Sequence, residues 1–517
     1  MSISSQITRI AKNVSDSLDA VAAKGVTIPT GSNSDDLPGL IAQISSSTAA
    51  ISVVDTTDTA GGTIRTITAL DISDTTAVAK DVLTGKYFYT ANGTKTAGTG
   101  AGGGVIEAEK KDVNFYDYDG TRLYSYTATE AQALTALPSN PSHTGLTAQG
   151  WNWTLAQIKS QLTAMGGVVN VGQNYVTTSG KTEIDITLND SSYLSPYLCI
   201  AVNGTIVIDW GDETSTDSIT GTSDSTVKTQ GHTYSSTGKY TIKITVSNGH
   251  FVIRNNGYAG ILQRSTNSQY WNQTTFSNTI TEVRIGENAL IGQYAFNYCG
   301  NINAISIPST ITSIGIYSFA RTKATFYSIP SGITELSNHA FDGCVCMKHI
   351  AIPSSVTTIG EYAFTECREL DDITVSAELT VIKRNAFYEC YLIKKIKMPS
   401  NITTIYQSSF YYCMGVYDLT ISSGVTTIET QAFYNGFSLE TLTIPANVTS
   451  IATKAFSGLY TLQALHFLGS TPPTLGASDV FANLRTSCVI YVPTGSLSAY
   501  TSAQYYPSSS SYTYVEE

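Results

Sequence analysis

Residues 352–373 read IPSSVTTIGEYAFTECRELDDI, and this pattern returns through the C-terminal half of the chain with its Phe nearly in step. The Phe positions are Phe296, Phe319, Phe341, Phe364, Phe387, Phe410, Phe433 and Phe456, separated by 23, 22, 23, 23, 23, 23 and 23 residues. A fixed period in this range marks a solenoid, in which one supersecondary unit stacks on its copies. Each unit carries Ile-Pro or a substitute: Ile307-Pro308, Ile329-Pro330, Ile352-Pro353, Val375-Ser376, Met398-Pro399, Ile421-Ser422 and Ile444-Pro445. A short run such as Val356–Ile359 follows, and a second alternation such as Leu419-Thr420-Ile421 comes after the Phe. The period of two in both runs predicts two short half-buried strands per coil, with about one helical turn around the Ala-Phe pair. Proline cannot donate to a strand ladder, so it closes one strand and opens the corner. One coil cannot bury its own Ile, Val and Phe, whereas coils stacked about 4.8 Å apart share one core.

Over residues 279–492 the repeat resembles the BspA-like class of leucine-rich repeats. That resemblance implies adhesion at a bacterial surface or on a phage, and it carries over no catalytic residues. Five of the eight cysteines, Cys299, Cys344, Cys367, Cys390 and Cys413, stand three residues after a Phe, which predicts an inward column. Thr322, Gly436 and Leu459 take the same place in other coils, so the column reads as core packing rather than a disulfide or metal ladder. Cys344 and Cys346 form an isolated C-x-C without a second pair, and no metal site or cofactor is expected. With no disulfide framework, folding in a reducing compartment is expected.

Charged residues make up only 13%, against about 25% in ordinary globular domains. Net charge is −11, which speaks against a nucleic-acid partner and against an anionic membrane surface. No apolar run is long enough to insert in a membrane. Met1–Ala23 lacks the basic start and continuous apolar stretch of a secretion leader. An adhesion-type repeat without a leader points to a particle released by lysis, that is, to a virion tail.

The N-terminal half fits that expectation. Ile3, Ile7, Ile10, Val14 and Val21 fall on a and d positions and predict a helical attachment segment over residues 1–50, with a homotrimeric stalk as its sharper form. A second short helix is expected at Leu37–Ile44. Residues 51–104 read as a small β-rich module with a hairpin at Asn92-Gly93 and a Gly-rich hinge at Gly98–Gly104. The stretch Asp81–Lys95, DVLTGKYFYTANGTK, resembles a short module of tail and baseplate-associated proteins of phages of Gram-positive bacteria. Residues 105–167 read as a hairpin at Asp119-Gly120 and a helical linker, with patches Ala128–Leu137 and Leu155–Met165 flanking Trp151 and Trp153. The Leu137–Lys159 stretch also resembles linkers of phage structural proteins. The tryptophans fit the anchoring of a small core better than a sugar site.

Within residues 168–278, Val207–Asp212, His232-Thr233-Tyr234 and Gly238–Val246 resemble a PKD-type β-sandwich, which implies a spacer or adhesion module. Glu213 stands where that family has glycine. Asp209, Asp212 and Glu213 are too few to claim calcium. Residues 493–517 read as a C-terminal tail.

The acidic group Glu366, Glu369, Asp371 and Asp372 reads as a solvated face, and no hydrolase or metalloprotease motif is present, so no enzymatic activity is expected. The candidate binding residues lie one position after the Phe. There Tyr388, Tyr411 and Tyr434 should stack into a ladder, with Tyr391 and Tyr412 beside it. The fold class expected is multidomain and mostly β: an N-terminal helix, small β modules, a PKD-like sandwich and a C-terminal β/α leucine-rich-repeat solenoid. The function expected is a tail fibre or tail-tip receptor-binding protein, held to other virion proteins by its N-terminus and to a host glycan or protein by its solenoid. A bacterial surface adhesin, or a virion decoration protein, is the alternative.

Overall fold

The computed structural model describes residues 112–517, apart from 256–259, 264–273 and 437, together with four strands of the first 111 residues. Two compact units divide at Lys110 and Lys111. In the first, β1 (Ala50–Thr57) pairs antiparallel with β2 (Thr63–Leu70). Strands β3 (Tyr87–Tyr89) and β4 (Lys95–Ala97) pair across the Asn92-Gly93 turn signal. The heptad stretch, the Leu37–Ile44 helix and the Gly98–Gly104 hinge lie outside the described residues.

The second unit is mostly β and is dominated by the solenoid. One parallel ladder sets Phe326 beside His349 and His349 beside Asp372; a second sets Glu335 beside Thr358 and Thr358 beside Val381. Inside, the Phe rings stack at 5.2–5.7 Å from Phe296 to Phe456. A ninth ring, Phe481, continues the column 5.7 Å beyond Phe456. One hydrophobic cluster runs without a break from Ile184 to Tyr500.

The Ala-Phe side is a set of tight turns in place of the expected helical turn. Within one coil, the N–H groups of Ala363, Thr365 and Cys367 bond back three residues, to Gly360, Tyr362 and Phe364. The alternate N–H groups, of Tyr362, Phe364 and Glu366, reach the next coil at Arg384, Ala386 and Tyr388. A helix would keep all of these bonds inside its own coil. Sending every second donor outward forces Tyr362 and Glu366 to φ of 56° and 57°, and Asn385 and Glu389 of the next coil to 55° and 58°. The left-handed conformation costs about 1 kcal/mol per L-residue, which the inter-coil bonds offset.

At the N-terminal end, β9 (Thr182–Leu188), β10 (Tyr197–Asp209), β11 (Asp217–Gly231) and β12 (Gly238–Ile253) are the long strands of one eight-stranded sheet. The sheet takes in β13 (Leu262–Gln263), β14 (Ile280–Arg284), β15 (Ala289–Ile291) and β16 (Ala304–Ser306). Strand β12 pairs with β9 through its first half and with β15 through its last three residues, while β9 passes to β14 and β14 to β16. Residues 168–278 therefore do not close on themselves as a separate PKD-like sandwich; β9 and the end of β12 are continued by the first solenoid strands.

The 167/168 boundary also moves. Strand β8 (Val169–Thr177) pairs parallel with β5 (Val113–Tyr116), which forms the expected hairpin with β6 (Arg122–Tyr126), and antiparallel with β7 (Leu146–Trp151). Helices α1 (Ala128–Ala133) and α2 (Leu155–Ala164) begin at capping boxes, Thr127 with Glu130 and Thr154 with Gln157, so the Ser/Thr-x-x-Glu/Gln signal marks both starts. Every residue of β8 is buried, because the module lies against the solenoid strands 304–306, 326–328 and 349–351. It is a docked module and not a linker.

Nor is the C-terminus a tail. Helix α4 (Leu497–Ser502), following the short α3 (Thr274–Ser277), buries Tyr500, whose hydroxyl donates to Gly469 O at 2.6 Å. The strand Thr513–Glu516 pairs with Val489–Val492 and closes the sheet. Tyr rings covering the last coil, rather than polar chain, make residues 493–517 a cap.

Candidate recognition surface

Three elements set the surface: the turn side of the coils, the docked module over the strand side, and the Trp210 corner of the N-terminal sheet. On the turn side, Tyr388 and Tyr411 stack at 4.7 Å and 4°, and Tyr411 and Tyr434 at 5.1 Å and 17°. The column expected from the repeat is present, and its rings are half-buried. Tyr412 meets Tyr411 and Tyr434 edge-on at 4.7 and 6.1 Å, and its hydroxyl oxygen accepts from Asn435 Nδ2 at 3.4 Å. Tyr391 donates its hydroxyl to Glu389 Oε2 at 2.5 Å while the Arg368 guanidinium lies 5.6 Å over its ring. Arg368 also bridges Glu366 and Glu389 at 3.2 and 3.3 Å, so the acidic face is partly neutralised. Leu392 and Met414, each 48% exposed, and Tyr460, 60% exposed, are further exposed apolar side chains of these coils.

Burial pushes the Tyr411 phenol up to about 12 from 10.0, with its tyrosine neighbours adding to the effect. Burial, then hydrogen bonding to Glu389, pushes Tyr391 up to about 12. Both phenols are favoured neutral in the fold, so their contribution to stability is full below the unfolded value near 10 and is lost as pH rises toward 12. A pH titration of the melting temperature should be flat from neutrality to about 8.5, fall as the buried thiols begin to favour the unfolded chain, and steepen above about 10 as the phenols join them. A curve that shows no added steepening above about pH 10 contradicts it.

Sequence reasoning missed a second ring column, two positions before the Phe. Tyr294 and Tyr317 stack at 5.2 Å, Tyr317 and His339 at 4.2 Å, and His339 and Tyr362 at 4.6 Å. The signal was available, since Tyr294, Tyr317 and Tyr362 hold one register position, but His339 interrupts the run.

The Cys column faces inward as expected, and it does more than fill space. Cys344, Cys367, Cys390 and Cys413 donate from Sγ to the carbonyl oxygens of Phe319, Phe341, Phe364 and Phe387 at 3.1–3.2 Å. Thr322 serves the same carbonyl as Cys344, donating to Phe319 O at 2.8 Å. Burial raises all four thiols above their ordinary range. Only Cys346 is partly exposed, so a thiol reagent should modify one Cys in the native chain and eight after denaturation. Rapid native labelling of Cys367 or Cys390 contradicts this. Cys390→Ala should cost about 1–2 kcal/mol, the loss of one buried donor and a small volume.

On the strand side, Asn152 donates from Nδ2 to the carbonyl oxygens of Ile329 and Ala351, both at 2.8 Å, and its Oδ1 accepts from Gly172 N–H at 2.8 Å. Trp153 Nε1 donates to Ile352 O at 2.9 Å, and Asn174 Nδ2 to Ile307 O at 3.0 Å. Gln161 donates to Val375 O at 2.8 Å and accepts from Ala377 N–H at 2.9 Å. Four side chains of the module thus grip the Ile-Pro corners of successive coils. Trp151 donates to Pro138 O at 2.9 Å and packs on Phe115 at 4.9 Å, so both tryptophans anchor the module. His349 lies under the Tyr116 ring at 5.1 Å and against Asp371 at 3.0 Å. Lys395 pairs with Asp418 at 3.4 Å, and His466 stacks on Tyr491 at 4.4 Å and meets Glu517 at 2.8 Å.

At the N-terminal sheet, Trp210 stacks on His232 at 4.7 Å, donates to Asp217 at 2.7 Å and accepts at its carbonyl from the Tyr234 hydroxyl at 3.0 Å. Asp209 and Asp212 accept from the turn N–H groups of Gly211 and Thr214, and Asp212 also meets His232 at 2.8 Å. These carboxylates are spent on the turn, where Glu213 adopts the left-handed φ of 62° that glycine favours.

Residues 241–347 and 334–463 match the BspA type leucine rich repeat region, in six copies. Over that span the coils are similar to BspA-type repeats. Their match begins inside β12, where the sheet passes into the solenoid. Among solved structures, the chain is similar to a leucine rich cell surface protein from Faecalibacterium prausnitzii, 25% identical with a TM-score of 0.33, over 41% of this chain and 65% of that one. It is similar to a leucine rich repeat protein of T. pallidum, 28% identical with a TM-score of 0.27, over 29% and 74%. A leucine-rich repeat protein from Eubacterium ventriosum is 24% identical with a TM-score of 0.32, over 49% and 77%. The chain spans less than two thirds of the first of these proteins. No curated protein matches the sequence.

Proposed function

We propose that this chain is a recognition protein that attaches a virion tail to a bacterial surface through the turn side of its BspA-type solenoid. The carrying observation is the half-exposed Tyr388, Tyr411 and Tyr434 ladder, with Tyr412 against it and Tyr391 held by Glu389 and Arg368. Tyr presents a broad apolar ring with a polar tip at low entropic cost, which suits recognition of glycan and protein alike. The strand side offers less room, because the docked module covers its first coils. No catalytic role is assigned to any residue. The tail setting rests on the resemblance of Asp81–Lys95 to tail-protein modules, and attachment to the particle, as a trimer, falls to the N-terminal residues. No helix among the described residues is long and apolar enough to cross a membrane.

A bacterial adhesin is the second reading, favoured by the cell-surface designation of the F. prausnitzii relative. Immunogold labelling with antibody to this chain separates the two: the proposal expects label on tails in lysates, and label confined to cell envelopes overturns the virion setting. Light scattering on the full chain and on a variant lacking residues 1–25 tests the stalk. A trimer that becomes a monomer on truncation is expected; a monomer in both leaves a simple docking helix.

A further inference from the structure

The two ring columns are neighbours. Within each turn the residue after the Phe donates its N–H to the carbonyl of the residue two before the Phe, as Asp342 does to His339 and Tyr388 to Asn385. In the Phe341 coil the side chains at these two positions also touch, His339 Nδ1 and Asp342 Oδ2 lying 2.8 Å apart. Tyr294, Tyr317, His339 and Tyr362 therefore fill one lane over the first coils, and Tyr388, Tyr411 and Tyr434 take over in the adjoining lane.

We infer that these seven rings form one continuous rail and that its ligand is a linear, neutral polysaccharide laid along the solenoid axis. This rests on the recognition reading above and specifies its ligand. Six coil steps of about 4.8 Å make the rail about 29 Å long, which fits an extended polymer rather than a single determinant. Inner rings turn both faces to their neighbours, so the rail displays ring edges and hydroxyl tips. Ring edges are the positive part of the aromatic quadrupole and face ligand oxygens. The net charge of −11 disfavours a polyanion, and the carboxylates beside the rail keep to local partners, Glu366 and Glu389 to Arg368 and Asp342 to His339, so among the described residues no cluster of free cations is left there to bind one. A peptide strand advances about 3.3 Å per residue and falls out of register with rings about 4.8 Å apart.

The test uses the full chain with size-fractionated amylose, β-mannan and xylan, and with poly(glycerol phosphate) as the anionic comparison. For at least one neutral glycan, affinity should rise with length to about the span of the rail. Ser at Tyr294, Tyr317 and Tyr362 should weaken binding about tenfold, as should Ser at Tyr388, Tyr411 and Tyr434. Loss in the second set alone overturns the rail and leaves the recognition site standing; loss in neither overturns both. Binding to poly(glycerol phosphate) instead, or to none of the glycans, overturns the ligand chemistry. Hydroxyl-radical footprinting of the unsubstituted chain removes dependence on variant folding: glycan should protect Tyr317 and Tyr411 together, and protection of one alone contradicts a single rail.

Discussion

Phe387→Ala is expected to lower the unfolding free energy by about 3–5 kcal/mol, the largest single-residue effect in the solenoid. Its ring is fully buried and stacks on Phe364 at 5.2 Å and on Phe410 at 5.4 Å, so truncation opens a cavity between two rungs. The coils on either side cannot close over the gap, because their spacing is held by Lys383 N–H bonding back to Ile359 O at 3.0 Å and by the N–H groups of Asn385, Phe387 and Glu389 bonding to the carbonyl oxygens of Gln407, Ser409 and Tyr411 at 3.0, 2.8 and 2.8 Å. Each coil touches only its neighbours, so the loss is felt first at that interface. Denaturant unfolding measures it, and hydrogen exchange should localise it to residues near 364–413. A change below about 1 kcal/mol contradicts the stacked core.

Asn152→Ala should come close to that effect, at about 3–5 kcal/mol, although the residue belongs to another module. It satisfies the buried carbonyl of Ile329 and the N–H of Gly172, and shares the carbonyl of Ala351 with Ile329 N–H. Removing a buried partner costs about 1–3 kcal/mol for each group left behind. The expected signature is separate from that of Phe387: residues 112–177 should exchange and become protease-sensitive while the later coils stay protected. Exchange spread evenly over both would mean that the module is not a unit docked by its amides.

These two residues also mark what the sequence could and could not reveal. The Phe period is carried by one residue type at one spacing, so the stacked core, the inward Cys column and the Tyr388 ladder were all legible. Phe481 escaped because two extra residues put it 25 positions after Phe456. The left-handed turn residues escaped because Tyr362, Glu366, Asn385 and Glu389 occupy places where glycine would have announced them. Module docking left no pattern at all. Asn152 reaches Ile329 across 177 residues, and a side-chain amide reading backbone carbonyls imposes no residue type on the strand it grips. The independent sandwich and the C-terminal tail failed for a related reason, since strand edges show their partners only in three dimensions.

The docking also decides how recognition must be tested. A fragment starting at residue 279 would strip β9 from β14 and β12 from β15, so the unit to compare is the full chain. The most direct measurement is bacterial cell binding by the full chain with Tyr388, Tyr411 and Tyr434 replaced by Ser, against the unsubstituted protein, with melting temperature as the check on folding. Central aromatic contacts typically carry more than about 1 kcal/mol each, so binding at least about tenfold weaker is the predicted result. Unchanged cell binding by the correctly folded variant would contradict the assignment of recognition to the tyrosine side of the solenoid.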